Sequence, residues 1–121
     1  MTIKENTEIT FKWFEAFNEH TIEKLLALYH PDADHYSPKL KIRHPETNGI
    51  IKGTEALRNW WCDAFNRLPD LNYEIISLGV DKDYVMMRYK RTVSGEEDMV
   101  VNEMLHIKDG LIISSAVIEK K

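Results

Sequence analysis

The sequence predicts an α+β domain in which three helices of the first half are followed by a meander of four strands curled over them. Three observations carry this. Before Leu68, apolar residues recur at helical spacing in three separate segments. After Asp70 they become β-branched and aromatic and fall into four runs divided by short turns. The length of 121 residues, with 43% hydrophobic and 30% charged side chains, is one domain's worth, residues 1–121, and enough to build its own core.

Taken in order, Ile9, Trp13, Ala16 and Phe17 fall on one face of a first helix, with Asn6 or Thr7 as its expected N-cap. Thr21 opens a short second helix on Ile22, Leu25, Leu26 and Tyr29, and Pro31 lies just past its end. Ala33 to Ser37 reads as a short strand. The following Pro38 to Gly49 segment, with its basic run Lys39 to Arg43 and an Asn48-Gly49 turn, reads as a loop expected to rim a pocket and to be less ordered than its surroundings. Thr54 caps a third helix whose stripe is Leu57, Trp61, Ala64, Phe65 and Leu68, with Trp60 at its margin. The strands are then Tyr73–Val80, Tyr84–Val93, Asp98–Lys108 and Leu111–Ile118; Asp109-Gly110 is a tight-hairpin signal.

Composition narrows the function. Sixteen Lys and Arg against 20 Asp and Glu give a formal net charge of -4, which argues against nucleic acid as a partner. The one cysteine, Cys62, excludes an internal disulfide and a CxxC metal knuckle, and reads as a packing residue. No apolar run approaches the roughly 20 residues of a membrane span, and the first ten residues are too polar for a secretory signal. The expectation is a cytoplasmic protein without membrane contact. The histidines lack metal-ligand spacing, so neither a metal nor a cofactor is expected.

The order of these elements, together with three short motifs, resembles one family. Leu25-Leu-Ala-Leu-Tyr-His-Pro-Asp-Ala33, Ile51-Lys-Gly-Thr-Glu-Ala-Leu57 and His106-Ile-Lys-Asp-Gly-Leu-Ile112 are similar to motifs of SnoaL-like proteins in the nuclear transport factor 2-like superfamily. The resemblance runs from about Thr7 to Ile118. It implies a cone-shaped roll, a curved mixed or antiparallel sheet wrapped over three helices with a pocket inside. It also implies a cofactor-free protein acting on, or binding, a small molecule. The position of the ketosteroid-isomerase catalytic tyrosine falls on Trp13 and that of its general base on Ser37, while its second acid falls on Glu103. Of two supporting tyrosines, Tyr29 is kept and Trp61 is not. With Trp13 and Ser37 in place of the proton-shuttling pair, the resemblance excludes ketosteroid isomerase itself.

Glu103 alternates with Val101, Leu105 and Ile107, so a carboxyl stands on an apolar strand face, where its pKa should rise. The alternatives are pairing with Arg88 or Arg91 across the sheet, or exposure at the cone mouth. His35 shares a face with Ala33 and Ser37 and supplies a second group able to move protons near neutrality, or a hydrogen-bonded structural residue. Glu103 and His35 are the catalytic candidates. Trp13, Phe17, Tyr29, Ser37, Arg43 and Trp61 are the ligand-binding candidates, Arg43 as a partner for a ligand carboxylate or phosphate. Tryptophan walls favour an apolar or polycyclic ligand. Two readings stay open: an acid–base enzyme of the cyclase, isomerase or dehydratase kind, and a non-catalytic binding or dimerising module. Met86, Val100 and Met104 on the opposite sheet face suggest a homodimer.

Overall fold

The structure is a computed structural model that describes residues 2–118. Its helices are α1 (Ile3–Glu19), α2 (Ile22–Leu26), α3 (Pro38–Arg43) and α4 (Thr54–Arg67), with a single 3-10 turn at Pro45–Thr47. Its strands are β1 (Tyr29–Tyr36), β2 (Ile50–Lys52), β3 (Asn72–Val80), β4 (Tyr84–Thr92), β5 (Met99–Lys108) and β6 (Leu111–Ile118). They form one six-stranded sheet in the order β2-β1-β6-β5-β4-β3. Only β1 and β6 run parallel; the other pairs are antiparallel. The α+β roll expected from the sequence is therefore present, with a mixed sheet.

The core lies between the inner sheet face and helices α1 and α4. Trp13, Phe14 and Phe17 of α1 and Leu57, Trp61 and Phe65 of α4 meet Val85, Met87, Tyr89, Leu105 and Ile107 from the strands. Alternation along β4 and β5 sends one set of side chains inward and leaves the other in solvent.

Four sequence expectations are corrected. Helix α1 is capped by Thr2, whose hydroxyl accepts from the Glu5 amide at 3.0 Å, and not by Asn6 or Thr7. Asn6 is instead buried inside the helix, where its Nδ2 donates to the carbonyls of Asp81 and Lys82 and ties α1 to the β3–β4 turn. Tyr29 begins β1 rather than ending α2, and the strand bulges between Tyr29 and Asp34 while pairing with β6. The Pro38 segment is not a loop. Ser37 caps α3 by accepting from the Lys39 amide at 3.2 Å, and Pro38 starts the helix. Helix α4 takes Gly53 as its N-cap, one residue before Thr54. At the far end of this region Gly49 has φ +86, and an added Cβ would sit 2.8 Å from the Tyr36 ring.

Candidate active site in the cone

The sheet and α4 diverge at one end and leave a cavity of about 530 Å³, within the range of small-molecule sites. Phe17 of α1, Trp60 and Trp61 of α4, and Leu71, Val101 and Val117 form its apolar walls. His35, Ser37, Tyr89 and Glu103 line its floor and are all buried. Ile42, Met99 and the side chains of Arg43, Arg67 and Glu96 are exposed and mark the mouth.

Strand register brings the floor together. His35 on β1 is opposite Ser115 on β6, and Glu103 on β5 is opposite Val117, two residues further along the same strand. The His35 and Glu103 side chains thus approach across β6, with Nδ1 4.0 Å from Oε2. Tyr89 is opposite Val101, one diagonal step from Glu103, and its hydroxyl donates to Glu103 Oε1 at 2.7 Å. The other oxygen, Oε2, is buried without a hydrogen-bond partner. Burial pushes the Glu103 carboxyl up to about 7, with the Tyr89 hydrogen bond opposing the shift. The expected alternatives do not hold, because Glu103 is only 2% exposed, Arg88 is exposed beside Asn102 on the opposite face, and Arg91 is bonded to Glu96.

His35 departs from expectation. Burial pushes its imidazole down to about 4, and the weaker opposing effect is its bond to Ser115. It is neutral at physiological pH, so the 4.0 Å approach to Glu103 is not an ion pair. A line of donors fixes how it is oriented. Trp13 Nε1–H donates to the Tyr29 hydroxyl at 3.1 Å, Tyr29 donates to Ser115 Oγ at 2.9 Å, and Ser115 Oγ is 2.7 Å from His35 Nδ1. Tyr29 has used its one hydrogen, so the Ser115 hydroxyl is able to donate to Nδ1, and in that tautomer the imidazole proton lies on Nε2. In that tautomer His35 is a neutral donor through Nε2.

Of the expected ligand-binding residues, Phe17, Ser37, Arg43 and Trp61 line the cavity. Both Trp60 and Trp61 do so. Trp13 and Tyr29 do not: they lie under the floor, fully enclosed, and act through Ser115. Ser37 spends its acceptor on the α3 cap, and Arg43 lies 3.8 Å from Asp63. Sequence reasoning missed Tyr89, Ser115 and Arg67, and had Arg91 only as a partner for Glu103. Tyr89 and Ser115 are placed by register, which no local pattern reveals. Lys39 was visible only as one charge in a basic run. Among the described residues no group of His, Cys, Asp and Glu side chains is arranged to hold a metal ion.

Comparison with known proteins fits this geometry. The model of the SnoaL-like domain matches residues 11–115. A SnoaL-like protein of unknown function from Burkholderia thailandensis superposes with a TM-score of 0.86 at 22% identity, covering 99% of this chain and 98% of that one. A candidate polyketide cyclase from Sinorhizobium meliloti superposes at 0.79 and 19% identity, over 98% and 100% of the two chains. A candidate ketosteroid isomerase from Kribbella flavida does so at 0.77 and 20% identity, over 98% and 81%. These structures share the fold. The search of curated proteins found no significant match. With a family model matched over most of its length and a roll that closes on an aromatic cavity, the chain belongs to the SnoaL-like domain family.

Proposed function

We propose that the protein is a cofactor-free acid–base enzyme, of the cyclase or isomerase kind, acting on an apolar small molecule that bears a carbonyl. The observation that carries this is Glu103: a carboxyl poised near neutrality that lines an aromatic cavity and keeps one oxygen without a hydrogen-bond partner. Near pH 7 such a group is both a competent base and a competent acid. Oε2 takes a proton from the carbon beside the ligand carbonyl and returns it to another atom of the ligand. The neutral His35 offers a hydrogen bond to the oxygen where negative charge develops. The candidate polyketide cyclase and ketosteroid isomerase among the structural relatives suit this reading. A second reading, a binding module, is favoured by one fact: His35 is neutral and leaves Glu103 without a second titrating group.

Carbon NMR titration of Glu103 tests the proposal, with an expected pKa near 7. Exchange of the α-protons of 2-tetralone in deuterated water should be accelerated about 10²-fold or more by the wild type. Glu103→Gln should return it to background while 2-tetralone still binds. An ordinary glutamate pKa, or undiminished exchange in the variant, overturns the enzyme reading.

A further inference from the structure

The mouth of the cavity differs from its floor in charge as well as in exposure. Lys39, Arg43 and Arg67, with the buried Arg91 behind them, all line the cavity, a concentration of cations on a chain whose net charge is -4. Three of the four are matched. Arg91 Nη1 donates to Glu96 at 3.0 Å, Arg67 Nε donates to Asp63 at 2.8 Å, and Arg43 Nη2 lies 3.8 Å from the same Asp63 carboxylate. Three guanidinium groups therefore share two carboxylates. Among the described residues the Lys39 ammonium has neither an ion-pair nor a hydrogen-bond partner. Lys39 is an exposed residue, yet partial burial of its amine and the like charge of Arg91, with Arg67 adding to it, pull that amine below its ordinary value, although Glu96 opposes them. An ammonium held beside two guanidinium groups gains more from an arriving anion than one in open solvent.

The floor excludes that anion. Glu103 has no cation beside it and His35 is neutral, so a negative group placed there would meet a buried carboxyl with nothing to offset it. The walls are flat aromatic surfaces from Phe17, Trp60 and Trp61. A phosphate dianion is held best by the paired donors of an unoccupied guanidinium, and here each lining arginine already faces a carboxylate. A single free lysine suits a single carboxylate.

We propose that the cavity takes a flat, largely apolar monocarboxylate, with its rings between Phe17, Trp60 and Trp61, its carboxylate on Lys39 at the mouth, and its carbonyl end towards Glu103. This names the ligand class for the acid–base reading above and rests on that reading for the orientation alone. Lys39 reaches the mouth because Ser37 caps α3 beneath it, so the same short helix that replaces the expected loop presents the cation.

The test compares anthracene-9-carboxylate with anthracene-9-carboxamide, two probes of one shape, by quenching of the cavity tryptophans at about pH 6, where the carboxylate is ionised. The carboxylate should bind the wild type at least tenfold more tightly than the amide. Lys39→Met should reduce that preference to within twofold, Lys39→Arg should keep most of it, and added salt should weaken only the carboxylate. Equal binding of the two probes, or a preference that survives Lys39→Met, overturns the proposal and leaves Glu103 untouched. A normal Glu103 titration overturns the acid–base reading and leaves the charge preference measurable. Failure of both probes to bind overturns the ligand class outright.

Discussion

Glu103 and His35 share one cavity, and their shifts drive stability in opposite directions with pH. The native state holds a proton on Glu103 that the unfolded chain releases between about 4.5 and 7, so this group lowers stability as pH rises through that window. The unfolded chain binds a proton on His35 that the native state refuses between about 4 and 6.5, so this group raises stability over the same climb. Each effect is on the order of 3 kcal/mol at full extent, at about 1.4 kcal/mol per pKa unit. Between about pH 4.5 and 6.5 they offset one another. Urea denaturation across that range should show Glu103→Gln gaining stability with rising pH, through His35 alone. His35→Asn should show the reverse slope, through Glu103 alone; parallel profiles in the two variants would contradict the shifts. Tyr89 belongs to the same balance. Its hydroxyl favours the ionised carboxyl, so Tyr89→Phe should move the Glu103 titration above 7, as read by carbon NMR.

At the scale of elements, Asn6 shows how a polar residue inside a helix earns its burial. Its two hydrogen bonds hold the β3–β4 turn against α1, and Asn6→Ala should cost about 1–3 kcal/mol. Denaturation should show that loss, and hydrogen exchange should speed up at Asp81 to Asp83 before elsewhere. The four meander strands were legible to within a residue because alternation and turn chemistry are local signals. Asp109 and Gly110 both adopt positive φ, as their hairpin requires. Helix α3 was not legible, since six residues offer no periodicity, and β2 is three residues long. Glu103 stood out as a lone carboxyl in an apolar alternation. Tyr89 did not, because its role depends on lying one diagonal step from Glu103 across β4 and β5. His35 lies on the pocket face that alternation gives it, and its hydrogen bond to Ser115 and lowered pKa fit the structural alternative over the proton-moving one, because sequence reveals its neighbours along the strand and not how completely they enclose it.

At the scale of the whole molecule, the outer sheet face carries Met86 opposite Met104 and, further along, Ile118 opposite Asn102 and Val100 opposite Lys90. Met86, Val100 and Ile118 are exposed. We propose that two copies pair through this face. Light scattering should give twice the 14.2 kDa chain mass, and Met86→Glu with Met104→Glu should halve it; a monomer across a wide concentration range would remove the proposal. No helix among the described residues is long and apolar enough to cross a membrane. The position of β6 decides when the cavity can form. It is the sixth strand in order of synthesis and the third in order of space, lying between β1 and β5. Until it arrives, the β1–β2 pair and the β3–β5 meander have no shared edge, and His35 waits for a hydroxyl 80 residues downstream. Such distant pairing closes late and slowly. Binding competence should therefore appear in one step with the final strand during refolding, and a nascent chain that lacks it carries His35 and Glu103 on two unjoined pieces, without the Val117 wall between them.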